Sequence, residues 1–486
     1  MKFNKPAKIV KWSCVIFLLS VLTFQAKSQV VVFENGTETS STDFGNSVIE
    51  APDSTLIIVG STTADSEGLA DIKVSKLTWD GTEIWSVTHG GFNNDFPAHS
   101  IMLEDGSFVI VGTTGSFTDT PSRDVYLLKM NSEGDILWTH SYGGAETDEG
   151  TDIKETPEGD FIITAFTESY GEGEREGWLL KTDSEGNLLW DQTFGGSEMD
   201  VLWGVDISPD GGYILAGGTH SFSEGAGEDF WLIKTDTSGN EIWNQTYGVA
   251  DRTDLGRDVV ATLDGYVAVG ISDNDQSNPP PASGDAFIIK VDFDGNMVWE
   301  QLVTGVFRVE GFSISPSQDG GWIVGGTKVQ DPSYAAFWVV KANEQGEVLW
   351  EVESGQPGTV GIAFDVIQTY NGDIVATGFS GFTQSSPQDL HLLRLTDQTV
   401  SIPEGPEALD VVAMPNPTNG YLKVVLDENQ PEGSLLLSNA AGKVVKHQKF
   451  GRTDVVELDL SGFPAGMYVI QVKTTEGVGK AKVLKY

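Results

Sequence analysis

The stretch "DFWLIKTDTSGNEIWNQTYG", residues 229–248, decides the fold. Its apolar run reads as a strand, and "TDTSGN" reads as a hairpin that needs a side-chain acceptor first and a left-handed residue last. "EIWNQTY" reads as a second, half-exposed strand. The phrase recurs. Trp243 has counterparts at Trp85, Trp138, Trp190, Trp299 and Trp350, and the six tryptophans are spaced by 53, 52, 53, 56 and 51 residues. Upstream of each lie further alternating stretches such as "YILAGGT", so every unit holds four short strands. Four strands per 50-odd residues is the pattern of a propeller blade.

A second motif counts the units. A small residue, any residue, Ser or Asp, then Val or Ile appears seven times, beginning at Gly45, Ala98, Gly150, Gly204, Gly256, Gly311 and Ala363. The small residue suits an innermost strand crowded against its neighbours. A further small-residue column, Gly60, Gly112, Ala165, Gly217, Gly270, Gly325 and Gly378, marks the next strand. Seven copies predict seven blades.

The chain opens in the middle of a unit. Phe33 lies 10 residues before Asp43, the interval that separates Trp85 from Asp95 and Trp138 from Asp148, so Phe33 holds the tryptophan position. At the other end "DLHLLRL", residues 389–395, is a third strand with no fourth after it. The N-terminal strand is therefore expected to complete the last blade, removing a free edge. The predicted fold is all-β, a seven-bladed β-propeller over residues 29–396 followed by a small β-sandwich over 410–486.

Ahead of the repeats, Lys2, Lys5, Lys8 and Lys11 precede an apolar run, and Ala26 and Ser28 fit a cleavage site, so residues 1–28 read as a signal peptide. The run is too short to span a bilayer, and no transmembrane segment is expected in the mature chain. Cys14 is the only cysteine. Disulfides and thiolate metal sites are thus excluded from the mature protein. Residues 29–409 carry 15 Lys and Arg against 63 Asp and Glu, whereas 410–486 carry 9 against 8. So acidic a body repels phosphate backbones, which argues against a nucleic-acid partner. The segment 397–409, rich in Pro, Gly and acid, reads as a linker.

The recurring residues are weighed first as structure. Burial between blades accounts for the tryptophans, and turn carboxylates account for a basic residue that closes each third strand: Lys76, Lys129, Lys181, Lys234, Lys290, Lys341 and Arg394. The six histidines show no metal-ligand spacing. Asp43, Asp95, Asp148, Asp200, Asp254 and Glu310 recur just before the inner strand. Their oxygen ligands would suit calcium, and turn capping is the plainer account.

Chain order puts the fourth-to-first and second-to-third connections on one rim. There the unconstrained motif position holds Asn46, His99, Thr151, Val205, Arg257, Phe312 and Phe364, with Trp203, Phe307 and Arg308 near in sequence. Asn46, His99, Thr151, Trp203, Arg257, Arg308 and Phe312 are the candidate ligand-binding residues. No nucleophile elbow, HExxH or phosphate-cradling loop is present, and no catalytic residues are assigned.

The segments "MPNPTNGYLKVVL", "LLLSNAAGKVV", "LDLSGFPAGMYVIQV" and the ending "KVLKY" read by themselves as strands and turns of a small sandwich. Together, over residues 410–486, they resemble a type A sorting domain of the type IX secretion system of Bacteroidota. The resemblance implies a partner in that secretion machinery and export across the outer membrane to the cell surface or medium. The repeats resemble, more loosely, β-propeller repeats of secreted bacterial proteins, a likeness that implies fold and not activity. A secreted or surface binding module for glycan or protein ligands ranks first. A structural spacer or display protein and an extracellular enzyme acting on polysaccharide or protein rank behind it.

Overall fold

The computed structural model describes residues 30–36, 41–64, 66, 68–223, 225, 227–248, 252–273, 284–382, 388–396, 411–414, 418, 420–430, 432–439, 444–464, 466–474 and 478–485. The expected signal peptide and the linker 397–409 lie outside these. Every regular element described is a strand. No described helix is long and apolar enough to cross a membrane.

The first five repeats, residues 43–89, 95–142, 148–194, 200–247 and 254–303, are each a four-stranded antiparallel sheet in chain order, of the kind that makes propeller blades. The sixth, 309–354, has the same order and joins the seventh, 359–396, through one parallel pair, Ala335 with Val360. Second strands such as Tyr213–Thr219 are buried along their whole length, which is why they read as unbroken apolar runs. Fourth strands such as Glu83–His89 alternate between half-buried and exposed, as an outermost strand does.

In every repeat the first strand carries a bulge, one residue left unpaired against the second strand. The bulged residues are Asn46, Ala98, Thr151, Trp203, Arg257, Phe312 and Phe364. The bulge explains the glycine column. A Cβ on Gly217 would stand 1.9 Å from the Val201 carbonyl oxygen, and one on Gly378 would stand 1.8 Å from that of Ile362. In the sixth repeat this role falls to Gly326, paired with Gly311, and not to Gly325 as the sequence spacing suggests.

Each tryptophan pairs with the basic residue of its third strand: Trp85 with Lys76, Trp138 with Lys129, Trp243 with Lys234 and Trp350 with Lys341. The rings lie half-buried over the next repeat's hairpin. Trp190 sits so close to Gly239 that a Cβ there would be 2.6 Å from the ring, and the indole N–H of Trp243 donates to the Phe293 carbonyl at 2.9 Å. The basic residues reach the hairpin between first and second strands. Lys76 meets Asp53 at 2.9 Å, Lys181 meets Asp160 at 3.1 Å and Lys290 meets Asp264 at 2.7 Å.

The N-terminal strand Val30–Gly36 pairs antiparallel with Asp389–Thr396, and Phe33 stands opposite Arg394 as each tryptophan stands opposite its lysine. The first and seventh repeats also share a buried cluster of Val48, Leu56, Ile58, Leu77, Val375 and Leu392. Neighbouring repeats elsewhere share clusters of the same kind, such as Ile57 and Val74 with Phe108 and Leu128.

The C-terminal residues form two sheets. Val411–Met414, Tyr421–Gln430 and Thr453–Asp459 make one, and Gly433–Asn439, Val444–Phe450, Gly466–Thr474 and Val478–Lys485 make the other. They face each other across one core that includes Leu422, Val424, Leu435, Val456 and Ile470.

Candidate binding site lined by the bulged residues

A bulge re-aims a side chain that the regular alternation would send elsewhere. Here all seven bulged residues, one from each repeat, line a single cavity of about 300 Å³, together with Phe96, His99, Glu149, Asp152, Phe166, Asp258, Ser313 and Asp365. The lining comes mostly from the first half of the inner strands, beside the rim of the fourth-to-first and second-to-third connections. Direct bonds tie those connections together. The Glu146 N–H donates to Ser169 Oγ and that of Glu198 to Ser221 Oγ, each at 3.0 Å.

Of the seven sequence candidates, Asn46, His99, Thr151, Trp203, Arg257 and Phe312 line the cavity. Arg308 does not; its guanidinium pairs with Glu310. The motif column also slips in two repeats. In the second, Ala98 is the bulged residue and His99 occupies the position that Ser47 and Asp152 hold elsewhere. In the fourth, Trp203 is the bulged residue and Val205 is fully buried in the core. Counting three residues from Asp43, Asp95, Asp148, Asp200 and Asp254 finds the bulge in all five repeats. The small-residue motif does not.

Below the bulged residues, polar contacts link each repeat to the next. Ser100 Oγ donates to Ser47 Oγ at 2.8 Å, and His99 Nδ1 meets Asp152 at 2.7 Å. Asp152 accepts the Val205 N–H at 2.9 Å, Asp206 that of Ala261 at 2.8 Å, and Asp258 that of Ile314 at 2.8 Å. Ser313 Oγ donates to Asp365 at 3.1 Å, and Asp365 accepts the Val48 N–H at 2.8 Å. The circuit returns to its start.

Charge is concentrated at Asp152, which also meets Lys154 at 3.0 Å. Burial favours its neutral form, yet Lys154 and His99 hold its carboxyl well below the usual range. Burial likewise opposes the imidazolium of His99, and Asp152 outweighs it, so that pKa is raised. Asp258 behaves in the opposite way. Burial pushes its carboxyl up to about 6 against the pull of Lys154.

On the aromatic side the Arg257 guanidinium lies 4.8 Å from the Trp203 ring centre and 5.1 Å from that of Phe312. Phe312 and Phe364 meet edge to face at 5.7 Å, and Phe166 and Trp203 at 6.0 Å.

The aspartates considered for calcium are engaged by their own connections. Asp148 accepts hydrogen bonds from Thr167 Oγ1, from Ser169 Oγ at 2.8 Å and from the Gly144 N–H at 2.8 Å. Asp200 accepts from Thr219 Oγ1, from Ser221 Oγ at 2.6 Å and from the Gly196 N–H at 2.9 Å. Asp95 accepts from Thr114 Oγ1 and, at 2.9 Å, from the Gly91 N–H. Asp43 and Asp254 are buried at the same strand start, one to a repeat. Glu310 stands one residue off this column, opposite Thr327, and Val309 takes the aspartate place. Among the described residues no three His, Cys, Asp or Glu side chains gather as a metal site.

The protein is thus an all-β chain of propeller-like sheets with a separate C-terminal unit. Residues 413–485 of that unit match the secretion system C-terminal sorting domain, which makes the tail a type IX sorting domain and the protein one exported to the cell surface or beyond. No curated protein matches the sequence. Among solved structures, a fungal alcohol oxidase in complex with copper is 10% identical, with 94% of this chain and 99% of that chain covered and a TM-score of 0.49. Sqt1 from Chaetomium thermophilum is 12% identical over 74% of this chain and 99% of that one, with a TM-score of 0.41. A puromycin hydrolase is 11% identical over 72% and 51%, with a TM-score of 0.38. Likeness at this level carries no argument about activity.

Proposed function

We propose that the seven repeats, residues 29–396, form one closed seven-bladed propeller that acts outside the cell as a binding module for a glycan or protein ligand. The linker 397–409 and the tail 410–486 deliver it there. One observation carries the reading: the single residue each inner strand leaves out of its ladder lines one shared cavity, and these seven residues are of six different types. A purely structural position would repeat its residue, as the glycine column nearly does. Variation confined to a pre-organised concave site is what recognition uses.

A glycan and peptide array probed with the mature chain tests this. Trp203→Ala and Arg257→Ala should abolish the strongest signals, and Thr237→Ala on an opposite-rim hairpin should leave them unchanged. Binding that survives both cavity changes would refute the site.

A further inference from the structure

Resting on that reading, we propose that the cavity recognises a sugar acid, a pyranose carrying one carboxylate, as found at the uronate end of an acidic oligosaccharide. The anchor is Arg257. Its guanidinium is held between Trp203 and Phe312, and among the described residues no carboxylate lies within 4.0 Å of it, the neighbouring Glu310 being paired with Arg308. The Nε of Arg257 and the indole nitrogen of Trp203 are both buried without an acceptor. An arginine that lines a cavity and has no carboxylate paired with it calls for an anion, and its planar fork matches the two oxygens of a carboxylate.

The remainder of the lining calls for donors. Asn46 Oδ1 is buried without one. Glu149, which meets Arg123 at 2.7 Å through one oxygen, adds a carboxylate to the same cavity, and a carboxylate has acceptor sites to spare for hydroxyl groups. A ligand that offers an acid on one edge and hydroxyls on the others satisfies both sets, and its apolar ring face can lie on Phe312 or Trp203. A peptide C-terminus supplies the acid without the hydroxyls. A cavity of about 300 Å³ is at the small end of ligand sites and suits one or two rings. The surrounding body has 63 acidic residues against 15 basic ones, a field that disfavours a polyanion and leaves a single terminal charge as the better guest.

Calorimetric titration of the mature chain with galacturonate, with a glucuronic-acid-capped disaccharide and with the methyl ester of each tests the proposal. At least one acid should bind ten times or more tighter than its ester. Arg257→Gln should remove that preference while leaving the ester's affinity within about twofold. Trp203→Phe, which shrinks the ring that holds the Arg257 guanidinium, should weaken the acid several-fold, and it stands as the test if Arg257→Gln does not fold. Esters that bind as well as acids, or an acid preference untouched by both variants, would overturn the proposal. Array binding confined to neutral glycans or peptides would overturn the sugar acid and leave the binding module standing. An array with no ligand at the mouth would remove both.

Discussion

The carboxylate of Asp365 accepts the backbone N–H of Val48 at 2.8 Å, joining two residues 317 positions apart. Ser47 Oγ and Ser313 Oγ meet the same carboxylate at 3.2 and 3.1 Å, so one buried side chain ties the sixth, seventh and first repeats together. Asp365→Ala would strand a buried N–H and two hydroxyls. A loss of about 2–3 kcal/mol in urea unfolding is expected, with Asp365→Asn costing clearly less because it keeps an acceptor. Equal stability of all three proteins would mean that the contact contributes nothing.

The N-terminal strand is the seventh repeat's outermost, pairing from Val30–Thr396 to Gly36–His391. Removing residues 29–36 bares the edge of Asp389–Thr396, an invitation to pair with another chain. Early melting and multimers in size-exclusion chromatography are expected. A monomer with unchanged melting temperature would speak against this closure.

Gly217→Ala forces a methyl group against the Val201 carbonyl, 1.9 Å away, and should destabilise by about 1–3 kcal/mol. The third repeat has Ala165 at the equivalent place, opposite Gly150, and carries its methyl group there fully buried. Ala165→Gly should therefore change stability by about 1 kcal/mol or less. Denaturant midpoints of the two variants check the contrast.

Burial raises Asp258 to about 6, and burial with Asp148 nearby does the same for Asp124. Each folded pKa exceeds the unfolded value near 3.8. Their contribution is therefore fully present below pH ~4 and is lost as pH rises through about 6. Asp152, shifted the other way, withdraws its contribution at acid below the usual carboxylate range. Melting temperature should be highest near pH 4 and fall toward about pH 6.5, and Asp258→Asn should flatten that fall. A profile that rises from pH 5 to 7.5 would contradict the assignment.

Much of the architecture could be read from the chain because its signals are local and repeated. Trp243 and "TDTSGN" mark a hairpin wherever they occur, and the interval from Phe33 to Asp43 marks the strand that pairs with Asp389–Thr396. The site was legible only in part. Asn46, Thr151, Arg257 and Phe312 stand at the bulge where the motif places them, whereas in two repeats the motif points to His99 and Val205 and the bulge falls on Ala98 and Trp203.

By itself, then, the sequence determined the strand order, the repeat period and the terminal address, because side-chain alternation and turn chemistry act over a few residues. Only the tertiary structure decided where the residue that leaves each ladder goes. A bulge shifts every later side chain to the other face, and although Trp203 follows Asp200 by three residues as the bulged residues of four other repeats follow their aspartates, nothing in "DVLWGVDI" announces that it lands beside Arg257. That choice is made where the strand meets its neighbours: the Asp152 carboxylate takes the Val205 N–H from the adjacent repeat, Val205 packs into the core, and Trp203 is left beside Arg257 at the cavity.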